Sequence, residues 1–455
     1  MEKVHRENKM GTMPVEKLLI SVAVPMIFSM FVQALYNIVD SIFVARLSQD
    51  AFTALSLAFS LQNIMISVGV GTGVGVNAFL SKSLGEKDFK TANKIANNSI
   101  FLAVCTYIVF LVLGLTITDV FLKSQTKDPA IIQYGTEYLR IVLCCSFGIF
   151  MQNAMERLLT STGRTVYSMA TQVTGAVINI ILDPIMIFGY LGCPAMGVKG
   201  AAIATVIGQV SAAIIGLIFN LVKNKDIKLS IRLMKPEIRI IKKIYSVAIP
   251  SIAMGSIGSI MVFSLNKILM GFTKTAVAVL GAYFTLQSFV FMPVFGLNSG
   301  MVPIIAYNYG AKNRERIIET IKFALKIAFG IMCIGLLSFE VFPHVLLSLF
   351  KSNDPLDDAA MIKIGVPALR TMAINFPIAG ISIMLGSTFQ ALGKANYSLV
   401  VALMRQLVVL LPVAYLLSLT GVLNYVWIAF PLAGAIALFT SGLFFRRVLK
   451  LIDFK

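Results

Sequence analysis

The chain has 455 residues, 57% of them apolar and 13% charged, with a formal net charge of +18. That charged share is about half the soluble average of roughly 25%, and many apolar runs exceed the ~20 residues that cross a bilayer, which excludes a soluble multidomain enzyme. The surplus Lys and Arg sit in short connectors without an aromatic-interleaved basic motif, so they point to membrane orientation and not to nucleic acid.

In chain order, residues 1–17 are polar and basic and lack a cleavable signal pattern, so the first apolar run is expected to serve as an uncleaved signal anchor. Twelve spans are predicted, at 18–45, 52–81, 97–121, 131–160, 167–189, 199–222, 244–271, 276–309, 323–350, 360–391, 397–420 and 424–445. Several are long enough to require tilt, bends or ends that project from the hydrocarbon. An even number of spans puts both termini on one side. Positive charge collects after even-numbered spans, at Lys82/Lys87/Lys90/Lys94, from Lys223 to Lys243, at Lys312/Arg314/Arg316 and at Arg446/Arg447/Lys450. The other connectors hold few positives, such as Arg46, Lys123, Lys127 and Lys274. Both termini are therefore expected in the cytoplasm. Cys105, Cys144, Cys145, Cys193 and Cys333 form no CxxC pair and read as reduced core cysteines, and with only His5 and His344 a His-rich metal site is excluded.

The sequence is duplicated. Ser-Val-Ala-Val-Pro at 21–25 returns as Ser-Val-Ala-Ile-Pro at 246–250. The same offset maps Leu61-Gln62 onto Leu286-Gln287, Gly71 onto Gly296, Gly75 onto Gly300 and Gly85 onto Gly310. A slightly larger offset then maps Gly135 onto Gly365, Leu139-Arg140 onto Leu369-Arg370, Gly163 onto Gly393 and Tyr167-Ser168 onto Tyr397-Ser398. The basic connector 223–243 separates the copies, so the chain divides into 1–222, this linker, and 244–455. Six helices per copy give both copies one membrane orientation, related by an axis along the membrane normal with a cleft between them.

Ionisable groups inside spans cost roughly 2.5–3.5 kcal/mol each and usually have a task. Gln33, Tyr36, Asn37 and Asp40 recur at three- and four-residue spacing and share one helix face, which cannot face lipid. Interhelical hydrogen bonding alone would be served by Asn, so Asp40 favours function. Asn179 and Asp183 share a face of the fifth span, and Pro184 frees the carbonyl of Ile180. Together they form an oxygen-rich group suited to Na⁺ or a proton. Glu156, with Gln152, Asn153 and Thr160 on neighbouring turns, reads equally as functional or as interfacial beside Arg157. The second copy carries Leu265 and Val413 at the positions of Asp40 and Asp183, and has Lys267 and Arg405 instead. Arg405, beside Gln406, reads first as structural and second as a group that repels or binds ligand. Gly69-Val-Gly-Thr-Gly-Val-Gly75 lacks the Gly-Lys-Ser/Thr of a nucleotide loop and reads as tight helix packing. With no ATP motif, transport would be driven by a gradient. The 22 Met and 32 Phe suggest in part a soft, adaptable cleft surface.

Val32-Gln-Ala-Leu-Tyr-Asn-Ile-Val-Asp-Ser-Ile-Phe-Val-Ala-Arg46 resembles the first helix of the multidrug and toxic compound extrusion (MATE) family. Ile178–Gly189 and Gly197–Thr205 are similar to its fifth helix and the start of its sixth. Val302–Gly310 and Leu403–Gln406 look like its eighth and eleventh, and the likeness is strongest to the bacterial DinF-like and MepA-like branch. The resemblance implies an all-α membrane protein of twelve transmembrane helices in two pseudo-symmetric six-helix lobes arranged as a V. It implies a bacterial inner-membrane antiporter, not an enzyme, and with no cofactor beyond a coupling H⁺ or Na⁺. Position by position, the coupling site falls on Asp40, Asn179, Asp183 and Thr205, where Na⁺ would bind if it is the ion. Gln33, Tyr36, Asn37, Asn153 and Glu156 are then expected to meet substrate. The partners expected are organic cations and membrane lipid, and a monomer is expected. The rival readings are a flippase for a lipid-linked oligosaccharide, which needs a cationic cleft; a prenyltransferase, which needs Asp-rich motifs for Mg²⁺-diphosphate; and a channel.

Overall fold

The computed structural model describes residues 8–350 and 355–454. The N-terminal residues 1–7, with His5, lie outside it. The described residues are almost all helical. Ten continuous spans are α1 (Val15–Ala45), α2 (Gln49–Gly85), α3 (Phe89–Thr116), α5 (Thr165–Phe188), α6 (Val198–Val222), α7 (Ile238–Met270), α8 (Lys274–Gly310), α9 (Arg314–Val341), α11 (Ala395–Ser418) and α12 (Leu423–Leu449). Two more are broken. Pro129–Cys144 and Phe147–Ser161 meet at 46° and form α4, and the Pro355–Ala373 helix meets Asn375–Ala391 at 42° to form α10. The count of twelve thus requires each bent pair to be one span. The bends expected from span length occur at matching points of the two copies.

Local chemistry sets the helix starts, and the duplication preserves it. Ser48 caps α2 by accepting from the Ala51 amide, and its repeat mate Thr273 caps α8 by accepting from Ala276. Asp88 and Asn313 likewise cap α3 and α9. Such caps satisfy amides that a helix start leaves open. Before these caps, Lys87 and Lys312 share a left-handed backbone with φ of 58° and 56°.

The lobes meet through glycines in a reciprocal pattern. A Cβ on Gly85 would lie 1.9 Å from the carbonyl oxygen of Tyr307, and one on Gly310 would lie 2.0 Å from that of Lys82. Gly71 presses on the backbone of Ile252, and Gly296 presses on Ile27. Each contact maps onto its partner by the sequence offset, which is the signature of a two-fold relation. The Gly69–Gly75 run divides its work between two neighbours. Gly69 and Gly73 admit Asn153 and Arg157 of α4, and Gly71 and Gly75 admit Ile252 and Ile244 of α7. The tight-packing reading of that run therefore describes it.

The first turns of α1 and α7 are exchanged between the lobes. Leu18, Leu19 and Val22 pack in the core built by the second copy. Ile240 and Ile244 pack in a core with Val76, Leu80 and Ile95 of the first. The connector is also pinned. Asn97 donates to the Lys228 carbonyl at 2.9 Å, Asn98 accepts from the Glu237 amide at 3.0 Å, and Asp226 pairs with Arg164 at 3.0 Å. Residues 238–243, basic in sequence, already belong to α7. All five cysteines are free, but Cys145 and Cys193 are exposed and not in the core.

Gly85→Ala should place a methyl against a backbone carbonyl that cannot move aside, costing about 1–3 kcal/mol or more. Gly281→Ala, which meets nothing within 4 Å, should leave stability within about 0.5 kcal/mol. Unfolding midpoints of the two purified variants check the difference.

Candidate functional site

A cavity of about 960 Å³ lies within the first lobe. Its walls are the part of α1 beyond Met26, the first half of α2, and segments of α4, α5 and α6. The polar face predicted on α1 is there: Gln33, Tyr36, Asn37 and Asp40 all line the cavity. So do Asn153 and Glu156 from α4, Asn179 from α5 and Thr205 from α6. Asp183 does not. It is fully buried one turn behind Asn179, whose amide nitrogen lies 3.2 Å from Asp183 Oδ1 and 3.4 Å from Thr205 Oγ1.

Glycine lets these groups meet. Gly175 of α5 and Gly208 of α6 press on each other's backbone carbonyls, and a Cβ on Gly208 would also crowd Asn179. The close crossing brings Thr205 to Asn179. Asn179 and Asp183 share a face because they are four residues apart in a helix.

The distribution of unsatisfied oxygens is the main electrostatic feature. Asp40 Oδ1, Asn179 Oδ1 and Asp183 Oδ2 are buried without a hydrogen-bond partner. Unpartnered buried acceptors are costly, and a cation or a proton would relieve that cost. No cluster of three or more His, Cys, Asp or Glu side chains fit for a metal occurs among the described residues, so a transition-metal centre has no ligand set there. An alkali ion or a proton suits two carboxylates with amide and hydroxyl oxygens.

Glu156 faces the cavity and accepts from Gln152 at 2.9 Å, while Arg157 lies against Gly73 and also lines the wall. Three carboxylates thus stand in or just behind the wall against one guanidinium. Sequence reasoning missed Gln62, Tyr138, Gln172 and Gln209, which line the same space. Tyr138 lies 3.5 Å from Gln62, and Gln172 donates to Gln33 at 2.9 Å. Each is a polar side chain within a predicted span, and Gln62 was visible only as a marker of the repeat.

The MatE family model matches residues 25–185 and 250–416, once in each copy. The chain belongs to the MatE family, the multidrug and toxic compound extrusion transporters. Multidrug export protein MepA of Staphylococcus aureus is 26% identical over 417 residues, covering 91% of this chain and 90% of that protein. A multidrug resistance MATE transporter of the MOP superfamily, solved in an outward-facing conformation, superposes with a TM-score of 0.91 at 25% identity, over 99% of this chain and all of that one. A MOP superfamily transporter from Pyrococcus furiosus, described as having a binding pocket of reverse polarity that suggests a different function, superposes at 0.88 with 26% identity over both full chains. The fold is thus the pair of six-helix lobes in the V-shaped arrangement that the resemblance implies.

Burial separates two of the site residues in a measurable way. On a background with Cys145 and Cys193 replaced by Ser, Gln152→Cys should react with a water-soluble methanethiosulfonate reagent. Asp183→Cys should react at least ~10-fold more slowly, since thiol reactivity follows exposure. Stopped-flow labelling of protein in lipid vesicles gives both rates.

Proposed function

We propose that the protein exports lipophilic organic cations across a bacterial cytoplasmic membrane in exchange for H⁺ or Na⁺. The observation that carries this reading is the set of unpartnered oxygens on Asp40, Asn179 and Asp183 in and behind the wall of a large, mostly apolar cavity. Asp40 and Asp183 hold the coupling ion, and Asn179 and Thr205 complete its shell. Gln33, Tyr36, Asn37, Asn153 and Glu156 contact substrate, and the carboxylates attract its positive charge. Ion binding neutralises the carboxylates and favours release of the substrate. The export function of MepA and the drug-resistance role of the outward-facing relative support this assignment.

The membrane orientation follows from charge. Arg316, Arg314, Lys94, Arg164 and Lys82 all stand at the end of the molecule that holds both ends of the described chain: Arg316 binds the Met10 and Met13 carbonyls and Arg314 faces Asp453. By the positive-inside rule this end is cytoplasmic. The unit that works is the monomer, divided at the 223–243 connector. A flippase for an anionic lipid-linked sugar is disfavoured, because carboxylates outnumber Arg157 around the first-lobe cavity.

Asp183→Asn should lower ion-driven ethidium efflux from proteoliposomes at least ~10-fold, the scale for losing support of a bound ion. Asp40→Asn should do the same, with both variants folded by thermal melting. Glu156→Gln should mainly alter which cations are exported. Imposing a pH or a Na⁺ gradient alone identifies the ion, and wild-type efflux by Asp183→Asn would place the coupling site elsewhere. Pro25→Ala should impair coupled efflux more than Pro250→Ala, because only α1 joins its proline to carboxylates. Equal effects in the same assay would remove α1 bending from the mechanism.

A further inference from the structure

A second cavity, of about 300 Å³, lies inside the second lobe. It is the repeat image of the first. Phe59, Gln62 and Ile66 line the first cavity, and their counterparts Phe284, Gln287 and Phe291 line the second. On the opposite wall Gly175 and Ala176 of α5 correspond to Arg405 and Gln406 of α11. The charge is inverted between them. Asp40 and Glu156 become Leu265 and Gly386, and Gly175 becomes Arg405.

Arg405 has no hydrogen-bonded or ion-pair partner among the described residues. Leu265 is fully buried in the apolar core, so no carboxylate replaces the lost one. Beside the cavity, the Tyr283 hydroxyl is likewise buried without a partner and is free to donate. The helix itself is distorted here. Met404–Leu410 is a π-helical segment, and Pro412 follows at a position where it removes a backbone donor. Wide turns of this kind often accompany functional sites. A guanidinium held unpaired within a span is costly, and a bound anion would supply the missing counter-charge with paired, charge-assisted hydrogen bonds. Much of the remaining lining is aromatic, with Phe284, Phe291, Phe295 and Phe430, and the rest is largely aliphatic, such as Ile383 and Leu410. The volume sits at the lower end of ligand pockets, which fits a one- or two-ring ligand.

We propose that the second-lobe cavity is a ligand site for a small aromatic monoanion, with its carboxylate on Arg405 and its ring among the phenylalanines. The duplicated fold then presents two sites of opposite polarity, a cation site in the first lobe and an anion site in the second.

The test uses the full chain in nanodiscs of phosphatidylcholine alone, so that no anionic lipid competes, with calorimetric titration of 2-naphthoate. Binding is expected in the wild type. The uncharged isostere 2-naphthalenemethanol should bind at least ~10-fold more weakly, as should 2-naphthoate to Arg405→Gln, while Arg405→Lys retains part of the affinity. No binding of the acid at millimolar concentration overturns the proposal. So does equal binding of acid and alcohol to the wild type, a comparison that decides the matter even if Arg405→Gln does not fold. A folded Arg405→Gln that binds the acid as the wild type does returns Arg405 to a structural role.

Discussion

The reciprocal approach of Gly85 to the Tyr307 carbonyl, and of Gly310 to that of Lys82, is the contact on which the architecture depends. Any Cβ at either glycine would force two helices apart. Because each contact is the image of the other, the two copies are locked about a single axis. The exchange of the first turns of α1 and α7 follows from this. Once α2 and α8 cross so closely, the helix that precedes each in its own copy lies over the other copy's core. In a bilayer the lipid supplies no hydrophobic drive between helices, so small residues and close packing carry the association. The closest approach between the lobes accordingly follows the glycine pattern, with apolar side chains such as Leu18, Ile27, Ile244 and Ile252 packed around it.

Duplication kept the backbone and released the side chains. Caps at Ser48 and Thr273, at Asp88 and Asn313, and the left-handed Lys87 and Lys312 recur because they answer local demands that both copies face. Charges inside the lobes answer no such demand. Asp40 and Asp183 have apolar mates, Arg405 has glycine, and Asn97 and Asn98, which pin the connector to α3, have Lys322 and Phe323. The buried charges therefore differ between the copies in the cavities, and the pinning asparagines differ at the connector, where the two copies meet different chemistry.

This division explains what could be read from the chain. The repeat was legible because glycines under steric constraint stay fixed while neighbours vary. The polar stripe of α1 was legible because a period near 3.6 survives in any helix. The break at 145–146 was hidden, since no proline lies near it; the one at Ile374 does carry a signal, Pro377 in the turn after the bend, which removes the amide that would bond back to Ala373. The exchange of helix starts was hidden too, because apolar residues such as Leu18 and Ile244 do not reveal which core they enter. Asp183 was correctly paired with Asn179 by spacing, but spacing does not tell which of the two reaches the cavity. Arg405 was read as structural on the expectation that a buried cation has a partner, and that expectation depends on side chains far away in sequence.

The closed end and the cavity are connected by one element. Met10 is wholly buried, its carbonyl accepts from Asn308 and Arg316, and Asn8 reaches across to the Thr162 carbonyl. The N-terminal segment thus reinforces the glycine seal where the termini lie. A ligand in the cavity shifts this seal only if it binds the open and closed forms with different affinity, and it must act through something rigid. α1 fits that role. Ala23 and Ile27 sit against Gly300 and Gly296 in the seal, Pro25 lies between them, and Gln33 to Asp40 face the cavity on the following turns. α7 repeats the first half of this arrangement, with Ile252 in the seal and Pro250 beside it, but ends in the apolar Leu265. Two helices therefore hold the seal, and only α1 of the two carries a carboxylate in a cavity wall. If the proposed coupling holds, that asymmetry, imposed on a symmetric frame, gives an ion bound in the first lobe a mechanical path to the contact that joins the lobes.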